Sequence, residues 1–321
     1  MGWMRACLAL VAVAVMAAGP AVADNYPSRP VRILVPYAAG GPSDTGARLL
    51  VQALGKSLGE TVFVENRGGA GGLTGTEQVI QGERDGYTLL LGAVGPLVFI
   101  PTSRQLQYDV KRDLIPLELI WQSPLVLVVN PKRGFKTVAD FVAYAKANPG
   151  KLTVSSAGLG TNTHMASELF KREAGIDLLH VPYRGTGAAM PDLMSGQIDA
   201  TISDVAVMAP HIRQGTLTAL AVTAPERSLL LPDVPTMAEA GLPGAVTENW
   251  YGILAPTGTP PQAVAKLKSV LEAAVQTPAF RDALAKQGAV VRESGAEAFA
   301  KLIDAETKRW APIIRDAGLK F

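Results

Sequence analysis

Residues 31–58 read VRILVPYAAGGPSDTGARLLVQALGKSL, and this stretch joins an apolar run to an amphipathic segment through a glycine-rich turn. The first part, 31–37, is rich in aliphatic residues and predicts a buried strand. A strand followed directly by a helix is the repeating unit of an α/β fold. From Ser43 onward the apolar residues recur on one helical face: Ala47, Leu50, Val51, Leu54 and Leu58.

A second stretch of the same design is found at residues 152–174, LTVSSAGLGTNTHMASELFKREA. It predicts a strand at 152–156, a turn that is again rich in glycine, and a helix from His164 to Ala174 that ends at Gly175. The chain therefore starts a similar strand–helix unit twice. No repeat with a fixed period accompanies the two units, which argues against a solenoid.

The segments around these two units alternate in the same way, which predicts mixed sheets flanked by helices. Thr137 and Asp140 form a capping-box pattern at the start of one predicted helix, and Asn148-Pro149-Gly150 ends it. The other predicted strands are 61–65, 87–92, 125–129, 178–181, 200–203, 218–222 and 251–255. The other predicted helices are 75–81, 138–147, 188–194, 262–276, 278–287 and 295–316.

The chain of 321 residues is longer than one hydrophobic core usually serves, so two lobes are expected. The predicted strands 125–129 and 251–255 lie between the two blocks and are candidates for two crossovers between the lobes. Two crossovers make the first lobe discontinuous. We therefore expect lobe 1 to consist of 24–124 and 249–321, and lobe 2 of 125–248, each a mixed sheet flanked by helices.

Residues 1–23 have the pattern of a secretory signal peptide. Arg5 supplies the positive charge, an apolar run follows at 7–18, and AVA at 21–23 forms a cleavage site before Asp24. A membrane anchor is the alternative, but the apolar run of about 12 residues is shorter than the roughly 20 that span a bilayer. We therefore expect cleavage and secretion.

Composition and charge argue against several functional classes. Hydrophobic residues make 48% of the chain and charged residues 18%, which indicates a globular protein, and the net charge of +2 gives no strong attraction to nucleic acid or to an anionic bilayer. The single cysteine, Cys7, lies in the predicted leader, so thiol catalysis, disulfides and cysteine-bound metals are not expected in the mature chain. His164, His180 and His211 do not have the HExxH spacing, so we expect neither a metal nor a cofactor.

Two motifs are similar to enzyme signatures but are incomplete. Residues 158–163, GLGTNT, have Thr163 where a dinucleotide fingerprint requires its third glycine. Residues 41–45, GPSDT, are similar to a nucleophile elbow without its final glycine, so Ser43 is better interpreted as a helix cap. A secreted hydrolase-like enzyme, with Ser43 or His164 as the reactive group, and a nucleotide-binding protein stay as alternative hypotheses.

The two glycine-rich loops, 36–44 and 155–164, are the candidate binding elements. Both follow a strand and open a helix, and in an open α/β sheet ligands bind in the crevice beyond the carboxyl ends of the strands. Free amides and the positive end of the helix dipole make such a loop an anion site that needs no cationic side chain. The alternative is that each loop is an ordinary tight turn with a cap, which Ser43 or Asp44 would supply in the first loop.

The expected binding free energy indicates where such an anion site has to lie. Two helix ends at about 1 kcal/mol each and three charge-assisted hydrogen bonds at about 2 kcal/mol each give roughly 8 kcal/mol before costs. A micromolar dissociation constant requires about 8.2 kcal/mol net. The two loops are therefore too weak on an open surface, and we expect the anion to be enclosed between closing lobes.

Polar residues near other strand ends add candidates, each with a structural alternative. His164 is either a donor to a ligand oxygen or a partner in a structural hydrogen bond. Tyr183 and Arg184 either line the crevice or lie at the surface, and Asp204 either recognises an amino or hydroxyl group or forms a turn. The glycine-rich loop 66–72 is expected to form a wall of the crevice rather than a phosphate cradle, because no lysine follows it.

A series of short motifs runs along nearly the whole mature chain. They are YPSRPVRI at 26–33, PYAAGG at 36–41, VENR at 64–67, GAGG at 69–72, GT at 75–76, DGYTL at 85–89, YD at 108–109, VPYRG at 181–185, GQID at 196–199, LAVT at 220–223, LPDVPT at 231–236, EAG at 239–241 and APTGTP at 255–260. Together they resemble the substrate-binding proteins of tripartite tricarboxylate transporters, the Bordetella uptake gene (Bug) receptor family.

The resemblance implies a non-catalytic receptor with the two-lobe fold of periplasmic binding proteins, a type II-like Venus flytrap that closes on a small carboxylate. The implied ligand is a di- or tricarboxylate, an amino acid or an aromatic acid. The implied partners are the membrane subunits of a tripartite carrier or a sensor kinase, and the receptor itself is expected to be a monomer. The ligand-binding positions implied by the resemblance are Tyr37, Ala38, Gly41, Ser43, Asp44, Ala93, Ser156, Gly160, Thr161, Asn162, Thr163, His164, Tyr183, Gly185, Thr186 and Asp204.

This sequence departs from the family's pattern at three positions. Ala188 stands where a proline is common, and Trp121 and Pro124 occupy the crossover where smaller residues are usual. We expect these residues to reshape the far end of the pocket. The identity of the ligand therefore does not transfer from the family.

Overall fold

The computed structural model describes residues 26–321, and the predicted signal peptide at 1–23 lies outside them. The strands are β1 (Val31–Val35), β2 (Val62–Asn66), β3 (Thr88–Ala93), β4 (Leu114–Val129), β5 (Thr153–Ser156), β6 (Leu179–Pro182), β7 (Ala200–Asp204), β8 (Thr218–Val222) and β9 (Glu248–Pro256). The helices are α1 (Pro42–Leu58), α2 (Leu73–Gln81), α3 (Ile100–Ser103), α4 (Val110–Asp113), α5 (Val138–Ala147), α6 (Asn162–Ala174), α7 (Thr186–Ser195), α8 (Val205–Arg213), α9 (Pro261–Gln276), α10 (Pro278–Ala285) and α11 (Ala296–Asp316). A π-helical turn, Gly95–Phe99, leads into α3.

The strands form one mixed sheet in the order β2-β1-β3-β9-β4-β7-β5-β6, with β8 also paired to β4. The long strand β4 belongs to both halves of this sheet. From Leu114 to Pro124 it pairs antiparallel with β9, and from Leu125 to Val129 it pairs antiparallel with β7 and β8. We refer below to the first half (β1–β3, β9 and the start of β4) and the second half (the end of β4 and β5–β8).

The register turns the carboxyl ends of two groups of strands towards each other. β1, β3 and β4 run in one direction, and β5, β6 and β7 run in the opposite one. Ala93, at the end of β3, pairs with Tyr251, which pairs with Trp121 of β4. Asp204, at the end of β7, pairs with Leu125, which also belongs to β4. The two ends are therefore four residues of β4 apart, about 13 Å, and the loops that follow them face a common space.

Helices cover both faces of each half and bury separate cores. On the first half, α1, α9 and α10 pack against one face around Leu54, and α11 packs against the other through Trp310. On the second half, α5 and α6 pack around Phe141, whereas α7 and α8 pack around Met208. Among residues 26–321, every helix is too short or too polar to span a bilayer. The α/β fold class expected from the sequence is confirmed.

Several local predictions are confirmed in detail. Both hydrogen bonds of the capping box form at the start of α5, from the Asp140 amide to the Thr137 hydroxyl and from the Thr137 amide to the Asp140 carboxylate. Gly175 ends α6 and Gly196 ends α7, each in the left-handed conformation that glycine adopts without strain.

The predictions were incomplete in the middle of the chain. The predicted strand 125–129 is only the last part of β4, because Pro116 and Pro124 interrupt the apolar pattern that precedes it. The sheet accommodates this segment with two shifts of register against β9, and one of them directly follows Pro116, a position where a strand tolerates proline. The π-helical turn before α3 and the helix α8 were not predicted, and both contain prolines, Pro96 and Pro210, that weaken a helical pattern.

Candidate functional site

The first glycine-rich loop, 36–44, leads from β1 into α1. Gly41 is the N-cap of α1 and Pro42 occupies its first turn, so the prediction that Ser43 or Asp44 caps this helix was wrong. Proline fits that position because its missing N–H would have no partner there. Ser43 and Asp44 follow Pro42 in the same first turn, and their backbone N–H groups make no hydrogen bond within residues 26–321.

The carboxylate of Asp44 is occupied by neighbouring groups at the start of α1. Its carboxylate accepts from the Gly40 backbone N–H at 2.9 Å and from Arg48 Nε at 3.1 Å. Burial by itself raises the pKa of Asp44, but the hydrogen bonds from Arg48 and Gly40 outweigh this effect and lower it below the ordinary value. The charge of Asp44 is therefore paired, and the amides at the start of α1 stay available to an anion.

The second glycine-rich loop, 155–164, is braced by its own side chains. Thr163 Oγ1 accepts from the Ala157 backbone N–H at 2.8 Å, and Thr161 Oγ1 donates to the Gly158 carbonyl at 2.6 Å. Thr161 is the N-cap of α6, and the first helical bond comes from Met165. Within the described part of the chain, the backbone N–H groups of the three preceding residues, 162–164, make no hydrogen bond.

Asn162 is the most unusual side chain in this loop. It is only 5% exposed, and neither its oxygen nor its nitrogen has a partner among residues 26–321. Ser155 Oγ, near the end of β5, is also buried and also has no hydrogen-bond partner among the described residues. Nearly all buried polar groups in folded proteins are hydrogen-bonded, and an unpaired one costs about 1–3 kcal/mol. A buried amide without a partner beside three free N–H groups is an arrangement that a bound acceptor would complete.

Two stacked histidines lie behind the second loop and are not cationic. The rings of His164 and His180 are 4.2 Å apart, and burial lowers their pKa values to about 3 and about 4. His164 Nδ1 accepts from the Gly160 backbone N–H at 3.4 Å, and His180 Nε2 lies 2.7 Å from Ser156 Oγ. His164 therefore makes the structural hydrogen bond that was its alternative interpretation, and neither ring supplies positive charge at neutral pH.

The two loops approach each other around Gly95, just after Ala93 at the end of β3. A Cβ at Gly95 would lie 3.0 Å from the Gly160 carbonyl oxygen and 3.3 Å from the Tyr37 hydroxyl. A side chain at this position would force its neighbours to shift, so glycine suits this contact. Tyr37 belongs to the first loop and Gly160 to the second, so the structure brings members of both loops to the same point between the two halves of the sheet.

A buried polar group lies where β7 ends and β9 begins. Asn249 Nδ2 donates to Asp204 Oδ1 at 2.8 Å, and burial raises the pKa of Asp204 to about 6. Burial also raises the pKa values of Tyr37 and Tyr251, and the negative charge of Asp204 raises them further. Asn249 and Tyr251 were missed by the sequence analysis. The only signal available was two polar side chains at the start of a crossover strand.

Other predicted positions have partners of their own within the chain. The Tyr183 hydroxyl donates to Asp192 at 2.5 Å, a bond that raises the pKa of Tyr183 to about 12 and turns the hydroxyl towards α7. Thr186 Oγ1 lies 3.1 Å from Ser203 Oγ, next to Gly185, the N-cap of α7. Ala38 is exposed at the tip of the first loop. The backbone of Tyr183 nevertheless lies against the second loop, because its N–H donates to the Ser156 carbonyl at 3.0 Å and its own carbonyl would lie 3.2 Å from a Cβ at Gly158.

A small cavity adjoins the first loop, and its volume of about 20 Å³ gives room for one or two water molecules. It lies between the start of α1, the crossover part of β4, the start of α8 and the end of α10. Trp121, which stacks on Tyr251 at 4.6 Å, forms one wall. The lining residues are Pro42, Thr45, Gly46, Trp121, Ser123, Pro124, Asp204, Ala206, Leu284, Gln287, Gly288 and Ala289.

No group of three or more potential metal-ligating side chains (His, Cys, Asp or Glu) occurs among the described residues. The arrangement offers two helix starts with free N–H groups, one unpartnered amide, one carboxylate and two tyrosines. Such a set can bind a small anion through neutral donors.

Comparison with known proteins gives a consistent result. Residues 47–319 match the family model described as tripartite tricarboxylate transporter family receptor. The protein BugT of Bordetella pertussis is 38% identical, and the match covers 99% of each chain. The structure of MatC from Rhodopseudomonas palustris with bound malate has a TM-score of 0.82 at 33% identity, covering 90% of this chain and 100% of that one. The structure of Rpa4515 from R. palustris with adipate has a TM-score of 0.86 at 31% identity, covering 92% and 99%.

Proposed function

The chain belongs to the family of tripartite tricarboxylate transporter receptors, and from this premise we propose that it is a periplasmic receptor for a small ligand that carries a carboxylate. The ligand binds between lobe 1 (24–124 and 249–321) and lobe 2 (125–248). Two relatives of similar fold, solved with malate and with adipate, support a carboxylate as the ligand class.

The observation that carries the proposal is the start of α6. There the buried Asn162 amide and the N–H groups of residues 162–164 have no partner within residues 26–321. A carboxylate accepts hydrogen bonds from such groups and is favoured by the positive end of the helix. Ser43, Thr161, Asn162 and Thr163 contact the ligand in this proposal, directly or through water.

Closure of the two lobes supplies the rest of the affinity. The two helix starts give roughly 8 kcal/mol before the costs of association, and enclosure in a dry crevice strengthens each hydrogen bond. A ligand that touches both lobes favours the closed form by its extra contacts there. The closed receptor then delivers the ligand to the membrane subunits of a tripartite carrier or presents it to a sensor kinase.

A thermal-shift screen of the mature chain against a panel of carboxylates and neutral sugars tests the proposal. A ligand present at about 100 times its Kd stabilises the folded protein by about 2.7 kcal/mol, so one or more carboxylates should raise Tm. If neutral sugars raise Tm and no carboxylate does, the proposal is wrong.

Two variants test whether the start of α6 is part of the binding site. Asn162→Leu removes the unpartnered amide and should abolish the carboxylate shift, while the Tm of the free protein stays equal or rises because a buried unpaired group is lost. Thr137→Ala, at the cap of α5 and outside both loops, should lower Tm but keep the full shift. An unchanged shift in Asn162→Leu would remove the start of α6 from the site.

A hydrolase-like enzyme is the second candidate, and the contact of 2.7 Å between His180 Nε2 and Ser156 Oγ is the observation that favours it. No carboxylate accepts a hydrogen bond from His180 among residues 26–321, so the triad logic of an activated serine is incomplete. Ser43, the reactive group of the sequence hypothesis, makes no hydrogen bond to a histidine in the described chain. Turnover of a bound carboxylate by the purified protein would favour this candidate, and saturable binding without turnover favours the receptor.

A further inference from the structure

Helix α6 has two apolar faces, and they belong to different cores. The residues of one face are buried in the core of the second half, which contains α6: Ala166, Phe170 and Ala174. Met165 and Leu169, four residues apart and therefore on a second stripe of the helix, are buried in the core of the first half together with Trp310 of α11. Both are at most 1% exposed. The helix that begins with the free N–H groups of residues 162–164 therefore also bridges the two halves along its side.

A second group of contacts joins the first half to both ends of α6. The Phe321 ring, which packs against the core of the first half, meets the His164 ring edge-on with 5.4 Å between the ring centres. A Cβ at Gly160 would lie 3.3 Å from the Phe321 ring, so this ring also lies directly against the second loop. At the other end of the helix, Arg172 lies 3.5 Å from Asp316 in the last turn of α11. Contacts between the halves therefore extend from the start of α6 to its last turn.

We propose that Phe321 and the last turn of α11 form a latch that holds the two halves near the closed arrangement before a ligand arrives. The latch rests on the proposed function and adds a means of regulating the same site. Opening the crevice separates Phe321 from Gly160 and His164, and the loss of an edge-on aromatic contact opposes this step. Opening also exposes Met165 and Leu169 to water, which costs free energy because both side chains are apolar. A receptor whose binding-competent form is already populated has the higher apparent affinity.

Phe321 also touches residues that hold the carboxylate in the proposed function. His164 carries one of the three free N–H groups at the start of α6, and its Nδ1 accepts from the Gly160 backbone N–H. The Phe321 ring lies against both residues, so it supports the second loop from the side of the first half. Phe321 is therefore a positioning residue, which acts on the ligand through the second loop and through closure.

Distances in the ligand-free mature chain test the latch independently of the proposed ligand. Spin labels at Gln52→Cys and Gln197→Cys, one exposed position in each half, report the separation of the halves by pulsed electron paramagnetic resonance. Phe321→Ala should shift the distance distribution to longer values and broaden it. Tyr144→Ala is the matched control, because Tyr144 makes an edge-on contact of the same 5.4 Å with Phe135 inside the second half, and it should leave the distribution unchanged. Equal distributions in Phe321→Ala and the labelled parent would overturn the latch.

Binding of malate and adipate provides the second arm. Calorimetry should show that Phe321→Ala weakens the binding of either acid about five-fold, and stopped-flow measurements should place the change in faster dissociation, since a latch that holds the closed form slows release. Phe321→Leu keeps an apolar side chain and should bind within about two-fold of the wild type. An unchanged dissociation rate in Phe321→Ala, or an equal effect of Tyr144→Ala, would contradict the latch and leave the proposed function intact. If neither acid binds the wild type, the distances in the free protein decide on the latch, and the screen of carboxylates decides on the proposed function.

Discussion

Asp204 shows how burial changes the chemistry of a single side chain at the candidate site. It is 6% exposed, and one of its oxygens accepts from Asn249. Desolvation raises its pKa from 3.8 to about 6, and this effect is larger than the stabilisation of the ionised form by Asn249. Near neutral pH Asp204 is therefore charged at a cost in stability.

This cost predicts a pH dependence of stability. Below about pH 4 Asp204 is protonated in the folded and the unfolded protein, and as the pH rises towards 6 only the folded protein keeps the proton, so stability is lost across this window. Asp204→Asn keeps an acceptor for Asn249 but does not titrate. Relative to the wild type, the variant should gain up to about 3 kcal/mol between pH 4 and pH 7. Parallel curves of Tm against pH for the two proteins would contradict the account.

Glu118 and Glu248, whose pKa values burial also raises, titrate in both proteins and cancel in this comparison. The difference between the two curves therefore reports Asp204 alone. Tyr37 and Tyr251 stay neutral throughout the window, because burial raises their pKa values above the ordinary value of 10.

At the same scale, the sequence located the two loops that end in helix starts with free N–H groups better than it predicted what each side chain does. The glycine pairs and the helix starts that follow them are local features, so loops 36–44 and 155–164 could be found directly. The pairing of Asn249 with Asp204 could not, since the two residues are 45 positions apart and meet only because β9 and β7 both pair with β4. The stacking of Trp121 on Tyr251 depends on the same register.

At the scale of the element, the sequence predicted the ends of helices well, whereas prolines inside a strand or helix hid the element from the prediction. Gly175 and Gly196 end their helices at the predicted residues, because a left-handed cap is a local requirement that glycine meets. The start of β4 was missed because Pro116 and Pro124 read as breaks. In the sheet they are tolerated, since tertiary pairing with β9 outweighs the local preference, and a shift of register directly follows Pro116.

The capping box of α5 gives a prediction at this scale. Thr137→Ala removes the hydroxyl that accepts from the Asp140 amide, one of the first N–H groups of the helix. The free energy of unfolding should fall by about 1 kcal/mol, as measured by denaturant unfolding. Carboxylate binding should not change, because α5 contributes no residue to either loop or to the cavity. An unchanged unfolding midpoint would mean that the cap contributes nothing to the stability of this helix.

At the scale of the whole molecule, the site depends on one long strand. β4 pairs with β9 in the first half of the sheet and with β7 and β8 in the second, so the carboxyl ends of β3 and β7 face each other about 13 Å apart along it. The loops after the neighbouring strands β1 and β5 supply helix starts from both sides. A carboxylate that uses both helix starts must bring them closer, which is why binding and closure of the lobes are one event in this account.

The most direct test is a distance measured across the crevice. The only cysteine in the sequence, Cys7, lies in the predicted leader, so Gln52→Cys on α1 and Gln197→Cys after α7, both exposed, can be spin-labelled selectively in the mature chain. Pulsed electron paramagnetic resonance should show that a saturating carboxylate shortens and narrows the distance distribution, and that Asn162→Leu in the same background prevents the change. Calorimetric binding of a carboxylate with no change in this distance would contradict the claim that the two halves hold the ligand together.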